Sequence, residues 1–251
     1  MRLPEIAVLC LCLAACASSG DKRKPDAVAS TRLSSAGRMN LGLAQGYVEA
    51  KELAKASARL KLAMASDPGT AEVHAMAAII HDRNGEAAKA EREFDRAVAI
   101  APSDGFILNA HASWLCENGR ATQADQEFVR ALRDPRYRAP LQALANAGKC
   151  AHQVRQWAKA ESYLRRAVEL APADGPVLLM LADSELKQGK FMEARAFIQR
   201  RDALGADART LELAAAIEEA AGDRLSAARY RQRLKEQFPD ASPTGEGART
   251  P

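Results

Sequence analysis

The 251-residue chain is short of the residues that many folds depend on. Aromatics are only 5% and prolines number 11, which makes a β-sandwich or barrel a poor fit, since those folds draw on aromatic and β-branched residues. Five cysteines, few and odd in number, exclude a disulfide-dense miniature fold. There is no Cys-x-x-Cys, no His-Glu-x-x-His and no acidic calcium loop, so no metal role is expected. With no glycine loop to cradle phosphate and no Gly-x-Ser-x-Gly elbow, an enzyme activity, a cofactor and a small-molecule substrate are not expected either. Charge is nearly balanced, 36 Lys+Arg against 32 Asp+Glu for a net +4 with no basic block, so nucleic acid is not an expected partner. What the chain has in surplus is alanine, 54 residues, and alanine is the best helix former. An all-α protein with small-residue packing is the expectation.

Met1 to Ala15 reads as a secretory signal: a positive charge at Arg2, then the uncharged run Ile6 to Ala15, too short to span a bilayer. Its end, Leu13-Ala14-Ala15-Cys16, resembles the bacterial lipobox, although an ordinary signal ending in a chance cysteine is the alternative reading of the same residues. The lipobox resemblance implies cleavage before Cys16, loss of Cys10 and Cys12, and a Cys16 bearing a diacylglycerol and an N-acyl chain such as palmitate. Ala17 rather than Asp follows the cysteine. By the same resemblance this implies a lipid anchor in the outer membrane, facing the periplasm. The chain thus divides into a signal peptide (1–15), a lipidated cysteine with a flexible tether (16–36), a repeat region (37–239) and a disordered tail (240–251). A tether of that length spans roughly 25 Å root-mean-square. Lys22-Arg23-Lys24 within it reads as a solvated charge run, contact with anionic phospholipid heads being the alternative.

The repeat region declares itself through prolines that close alanine-rich helices. Pro68 and Pro102 are 34 residues apart, and Pro172 and Pro239 keep that register to within two residues over doubled periods. Six repeats fit. With each such proline numbered position 32, position 8 is Ala44, Ala78, Ala112, Gly148, Ala182 and Ala215, and position 20 is Ala56, Ala90, Ala124, Ala160, Ala194 and Ala227. Position 24 is a large apolar residue in five repeats (Leu60, Phe94, Phe128, Leu164, Ile198) and Arg231 in the last, and position 27 is alanine in the first four. Two antiparallel helices cross closely only where side chains are small, and a bulky residue one turn away fills the gap to the next repeat. Turn signals near position 15 agree: Asn84-Gly85, Asn118-Gly119, Gln188-Gly189 and Ala221-Gly222. The pattern resembles the tetratricopeptide repeat, which implies a right-handed superhelical solenoid of about six helix-turn-helix hairpins. Asp134-Pro135-Arg136-Tyr137-Arg138-Ala139-Pro140 lengthens the third junction, where a bend or an exposed loop is expected.

Cys116 and Cys150 occupy positions 12 and 10 of adjacent first helices. Facing surfaces of parallel neighbours lie about 180° apart in helical angle, and a two-residue offset supplies about 200°. The thiols should therefore face each other, as a disulfide, as two buried free thiols or as a redox pair. A bridge would stabilise by roughly 3.5 to 4 kcal/mol. First helices line the concave face of such solenoids, and the groove positions are 2, 5, 9, 12 and 13. They include Leu41, Gln45, Val48, Ile79, Asp82, Arg83, Phe106, Asn109, Lys149, His152 and Leu179. Apolar groups on a face that should be wet suggest a peptide or helix partner, ordinary packing between repeats being the alternative. His74, His81, His111 and His152 also lie on first helices and are read as packing or groove residues.

Local wording narrows the resemblance. Asn40-Leu41-Gly42-Leu43-Ala44-Gln45-Gly46-Tyr47, Arg133-Asp134-Pro135-Arg136-Tyr137 and Asn146-Ala147-Gly148-Lys149-Cys150-Ala151 resemble the type IV pilus biogenesis lipoproteins of the PilF/PilW pilotin family. Similar stretches continue through Ala160 to Ala167 and from Leu181 to Arg195. Departures are Val48 for a usual leucine and Lys51 in place of a turn glycine. The resemblance implies an outer-membrane scaffold that binds the secretin subunit of the type IV pilus and promotes its localisation and multimerisation, without turnover. A periplasmic adaptor recruiting cell-wall hydrolases or serving outer-membrane protein assembly is the alternative, because repeats alone do not choose the partner.

Overall fold

The computed structural model describes residues 33–241, which contain twelve α-helices and, among the described residues, no strand. The signal, Cys16 and almost all of the tether lie outside the described residues, as does the tail beyond Ala241. The helices form six antiparallel hairpins: α1 (Ser35–Glu49) with α2 (Leu53–Ser66), α3 (Ala71–Arg83) with α4 (Ala87–Ile100), and α5 (Gly105–Glu117) with α6 (Ala121–Ala131). These are followed by α7 (Pro140–Gln153) with α8 (Trp157–Leu170), α9 (Gly175–Leu186) with α10 (Phe191–Ala203), and α11 (Ala208–Ala220) with α12 (Arg224–Gln237). Each first helix also touches the first helix of the next repeat, and each second helix packs on the first helix that follows it. That is the stacking of a solenoid.

Local chemistry marks the helix ends. Ser34, Asp104, Asp174 and Asp207 cap first helices, their side-chain oxygens accepting backbone N–H groups two or three residues on, which satisfies donors the helix itself leaves orphaned. Between the two helices of a hairpin the chain turns through a left-handed residue. Gly85, Gly119, Gly189 and Gly222 take φ between 75° and 84° there, while Lys51 and Arg155 hold φ of 61° and 59° without the freedom of glycine.

The small-residue register is borne out in three dimensions. All six alanines at position 20 have no exposed surface, nor do Ala44, Ala78, Ala112 and Ala182 at position 8. Gly148 completes the row for a steric reason: a Cβ there would sit 2.6 Å from Cγ of Leu164, the bulky position-24 residue of the same hairpin. The large residues Phe94, Phe128, Leu164 and Ile198 are buried, and the core runs along the stack as three clusters that meet between repeats.

The third junction carries the expected exposed loop, with Arg133, Pro135, Arg136 and Arg138 on the surface, but its Tyr137 is 7% exposed and packs against Phe106 at 4.8 Å. Asp134 ties the loop down by accepting the Gly105 N–H at 3.0 Å. The added residues therefore plug the start of α5. At the other end one expectation needs correction: α1 starts at Ser35, inside the stretch read as tether. Ser34 belongs to the fold: its hydroxyl donates to Asp67 at 2.7 Å and accepts from the Gly37 N–H.

Candidate protein-binding groove

The first helices place their position-9, -12 and -13 side chains along one continuous face, where α3, α5 and α7 enclose an open recess of about 290 Å³. Its α3 wall is Ile79, Asp82 and Arg83; Asn109, Ser113, Trp114 and Glu117 come from α5, and Gln142 and Asn146 from α7. Polar groups inside it are preorganised by one another. Asn146 Nδ2 donates to Asn109 Oδ1 at 3.2 Å and to Ser113 Oγ at 3.1 Å, and Trp114 Nε1 donates to Asp82 Oδ1 at 2.9 Å. Behind the recess Phe94 stacks on His111 at 5.2 Å and tilts against Trp114 at 5.5 Å, while the Arg120 guanidinium lies 4.6 Å from the Trp114 ring. The result is a rigid wall of mixed apolar and amide chemistry, suited to gripping a peptide backbone beside an apolar side chain.

Of the residues read as groove-lining, Ile79, Asp82, Arg83 and Asn109 come together in this recess. Lys149 lies just beyond it, beside the sulfurs of Cys116 and Cys150, which the structure joins with Cα atoms 5.8 Å apart. His152, also on α7, reaches into the next repeat, with Nε2 2.8 Å from Asp183 Oδ2 of α9, and its ring meets Trp157 in a T-shaped contact. Burial alone would raise the Asp183 carboxyl, but the His152 contact, with Lys187 and Arg209 nearby, holds it below its ordinary value. Gln45 is exposed and Val48 half-buried in repeat one, away from the recess, and Leu179 is half-buried between α9 and α11.

Three placements fit the alternative of ordinary packing rather than a wet groove face. Leu41 is buried in the first core cluster, as the equivalent Ala75 and Asn109 are buried in the next two repeats. Asn109 is 6% exposed, its side chain used to bridge α5 to α7. Phe106 is 51% exposed, but one ring edge is taken by Tyr137. Ser113, Glu117, Gln142, Trp114 and Asn146 were not among the expected residues. Ser113, Glu117 and Gln142 sit at positions 9, 13 and 2 and were legible by the same rule; Trp114 and Asn146 sit at positions 10 and 6, outside it.

The remaining histidines are spoken for by carboxylates. His74 Nδ1 is 2.6 Å from Glu93, His81 Nδ1 is 2.5 Å from Glu86, and His111 Nδ1 is 2.9 Å from Glu127 in a poorly aligned contact. Among the described residues no group of histidine, cysteine and carboxylate side chains converges as a metal would require, and no helix is long and apolar enough to cross a membrane.

Twelve helices in six hairpins, small residues at each crossing and a groove lined by first helices define a tetratricopeptide-repeat solenoid, and residues 141–174 match the family model of the tetratricopeptide repeat. The chain is 26% identical over 240 residues to the type IV pilus assembly protein PilF of Pseudomonas aeruginosa, covering 95% of this chain and 94% of that protein. Its fold is similar to the crystal structure of PilW, a widely conserved type IV pilus biogenesis factor, with a TM-score of 0.75 at 26% identity over 84% of this chain and 97% of the other. The solved Pseudomonas aeruginosa PilF gives a TM-score of 0.71 at 26% identity, covering 82% and 93%. The resemblance read from the sequence is thereby borne out: the chain is similar to type IV pilus proteins built on this repeat.

Proposed function

We propose that the chain acts in type IV pilus biogenesis by binding protein, and more specifically that it is an outer-membrane lipoprotein of the pilotin kind that promotes localisation and multimerisation of the pilus secretin. The observation that carries this reading is coverage: the likeness to PilF runs over 95% of this chain and 94% of that protein, so it includes the whole solenoid and is not confined to a generic repeat. The preorganised recess of α3, α5 and α7 supplies a binding surface, and the Cys116–Cys150 bridge beside it holds two of its three walls in one spacing. Lipidation at Cys16 would keep that surface near the membrane in which the ring forms. Binding without turnover suits a scaffold whose histidines are already paired with carboxylates.

The test is an immunoblot of detergent-resistant secretin multimers in the source bacterium with and without the gene. Loss of multimers, restored by the wild-type gene and poorly by Cys16→Ala, is the expected result. Normal multimers would overturn the secretin role and favour the periplasmic adaptor, with cell-wall or barrel-assembly partners.

A further inference from the structure

Away from the groove, the C-terminal ends of the second helices repeat one pair of side chains. Position 26, in or next to the last turn, is arginine in five consecutive repeats: Arg96, Arg130, Arg166, Arg200 and Arg233. Four residues on, position 30 is Ile100, Leu170 and Leu204 in repeats two, four and five, and these are 37%, 53% and 49% exposed. Helical residues four apart share a face, so α4, α8 and α10 each end in a guanidinium beside an uncovered aliphatic side chain.

Part of this pattern serves the fold. A cation suits a helix C-terminus, Arg130 and Arg200 donate to the carbonyls of Pro102 and Pro172 at 2.5 and 2.8 Å, and Arg233 pairs with Asp202. The rest does not. Among the described residues Arg96 and Arg166 are exposed and make no hydrogen bond or ion pair, and a helix end has no need of an exposed leucine. In repeat three the pattern changes form, with Asp134 at position 30 and a recess of about 320 Å³ lined by Arg130, Arg133 and Arg136 over Pro102, Leu108 and Pro135. Asp134 accepts the Gly105 and Arg136 backbone N–H groups and also meets the Arg136 guanidinium at 3.3 Å, while Glu127 lies 3.8 Å from Arg130; two carboxylates against three arginines leave the recess with one net positive charge. Asp95 and Glu169 are the exposed acids adjoining Arg96 and Arg166, and they dilute the positive charge there without reversing it.

The geometry points to this edge as a docking surface for an anionic phospholipid bilayer, with the arginines at the level of the phosphates, Ile100, Leu170 and Leu204 at the headgroup–acyl boundary, and one headgroup phosphate seated between Arg130, Arg133 and Arg136. Arginine stems lie along apolar surface while their heads stay with phosphate, and each basic residue near an anionic surface adds attraction. A bilayer suits the arrangement better than an acidic polypeptide does. The pairs are dispersed over successive helix ends, whereas a peptide needs a continuous cleft, and the α3–α5–α7 recess faces the other side of the first helices. The inference goes beyond the secretin reading and stands or falls independently of it.

The experiment is co-sedimentation of the chain from Ala17 to Pro251, which contains the whole solenoid and lacks the lipid, with large vesicles. One set is pure phosphatidylcholine; the other contains about 30% phosphatidylglycerol. Binding to the anionic vesicles, released by half-molar salt and absent with phosphatidylcholine alone, is expected. Arg96→Glu/Arg166→Glu/Arg200→Glu should weaken partitioning roughly a hundredfold, and Leu170→Ser/Leu204→Ser should weaken it about tenfold or more, both with an unchanged helical circular-dichroism spectrum. No binding to anionic vesicles, equal binding to both lipids, or undiminished binding by the folded arginine triple variant would overturn the proposal. Capture by soluble polyglutamate without vesicle binding would overturn it in favour of an acidic protein partner. The secretin immunoblot reads a different event, so the failure of one reading is distinguishable from that of the other.

Discussion

Between repeats two, three and four, neighbouring helices meet through the Phe94, His111 and Trp114 rings and through the Cys116–Cys150 bridge. Ion pairs at those joints, Arg120 with Glu91 and Lys159 with Asp125, are largely exposed, whereas between repeats four, five and six the pairs engage buried carboxylates. Arg165 reaches Glu185 at 2.5 Å, Lys190 reaches Glu161 at 2.5 Å, and Arg195 holds Glu218 with a Nε–Oε1 distance of 2.9 Å. The hairpins themselves are alike in both halves, closed by the same buried alanines at position 20. The difference teaches that the repeat prescribes how a hairpin closes but leaves the chemistry of the joint between repeats open. A covalent bridge or the contact of Phe94 with Trp114 carries no charge for salt to screen. A buried ion pair must offset the cost of desolvating both partners, and its strength changes when either one titrates.

The largest expected effect concerns the first kind of joint. The bridge closes a loop with a sequence separation of 34, and Cys116→Ser should destabilise the protein by roughly 3.5 to 4 kcal/mol on the chain-entropy argument. Thermal unfolding monitored with and without reductant checks it: the wild type should melt lower when reduced, and the variant should ignore the reductant. A reductant-insensitive wild type would remove the contrast between the two halves.

The second prediction concerns the ionic half. Burial pushes the Glu185 carboxyl up to about 7, with Arg165 opposing and Glu161 and Glu193 reinforcing the shift. Burial also acts to raise Glu161, but hydrogen bonds from Lys190, Arg165 and Gln188 outweigh it and keep that carboxyl below its ordinary value. A carboxyl raised in the folded state contributes stability that is fully present below its unfolded value near 4.5 and is lost as pH rises through about 7. Glu161 runs the other way, contributing above the unfolded value and losing that contribution only in acid. Between pH 8 and pH 5 the Glu185 contribution should therefore strengthen the fold, by on the order of 2 kcal/mol. Urea unfolding across that range should show the trend in the wild type and a flatter one in Glu185→Gln. An equal slope in both proteins would mean that the joint stays an ordinary ion pair.

The smallest effect lies within hairpins, not at the joints between repeats. Lys51 and Arg155 hold left-handed backbone where four other repeats or connections have glycine. Lys51→Gly and Arg155→Gly should each stabilise by about 1 kcal/mol or less, because relief of left-handed strain is partly cancelled by the greater freedom of glycine in the unfolded chain. Melting temperatures of the single and double variants measure this, and additivity is expected because the two turns are far apart. Destabilisation by either change would show that its side chain contributes packing that outweighs the strain.

Much of the hairpin architecture was legible in residues. Pro68 and Pro102 set the period, and from it the alanines at positions 8 and 20 followed, since a close helix crossing tolerates nothing larger. Gly148 fell into the same row before Leu164 was seen against it. The third junction was legible as an exposed insertion, but whether Tyr137 within it stands in water or plugs the start of α5 depends on a contact with Phe106 thirty-one residues earlier. The recess was half legible. Position counting reached Ile79, Asp82, Arg83 and Asn109, but it treated each first helix as a separate cylinder and so missed Trp114 and Asn146, which line the recess from positions 10 and 6.

What the sequence determined by itself is periodic: helices from the alanine content, turns from glycines and prolines, and the hairpin crossing from small residues at fixed spacing. Each of these is a local steric demand that recurs whatever lies next to it. Tertiary structure decided what happens where one repeat meets the next: that Phe94, His111 and Trp114 stack, that Glu185 is buried against Arg165, and that Asn146 bridges to Asn109. Those joints depend on the angle and offset between helices of neighbouring repeats, and no spacing along the chain encodes an angle until the neighbouring surfaces have packed.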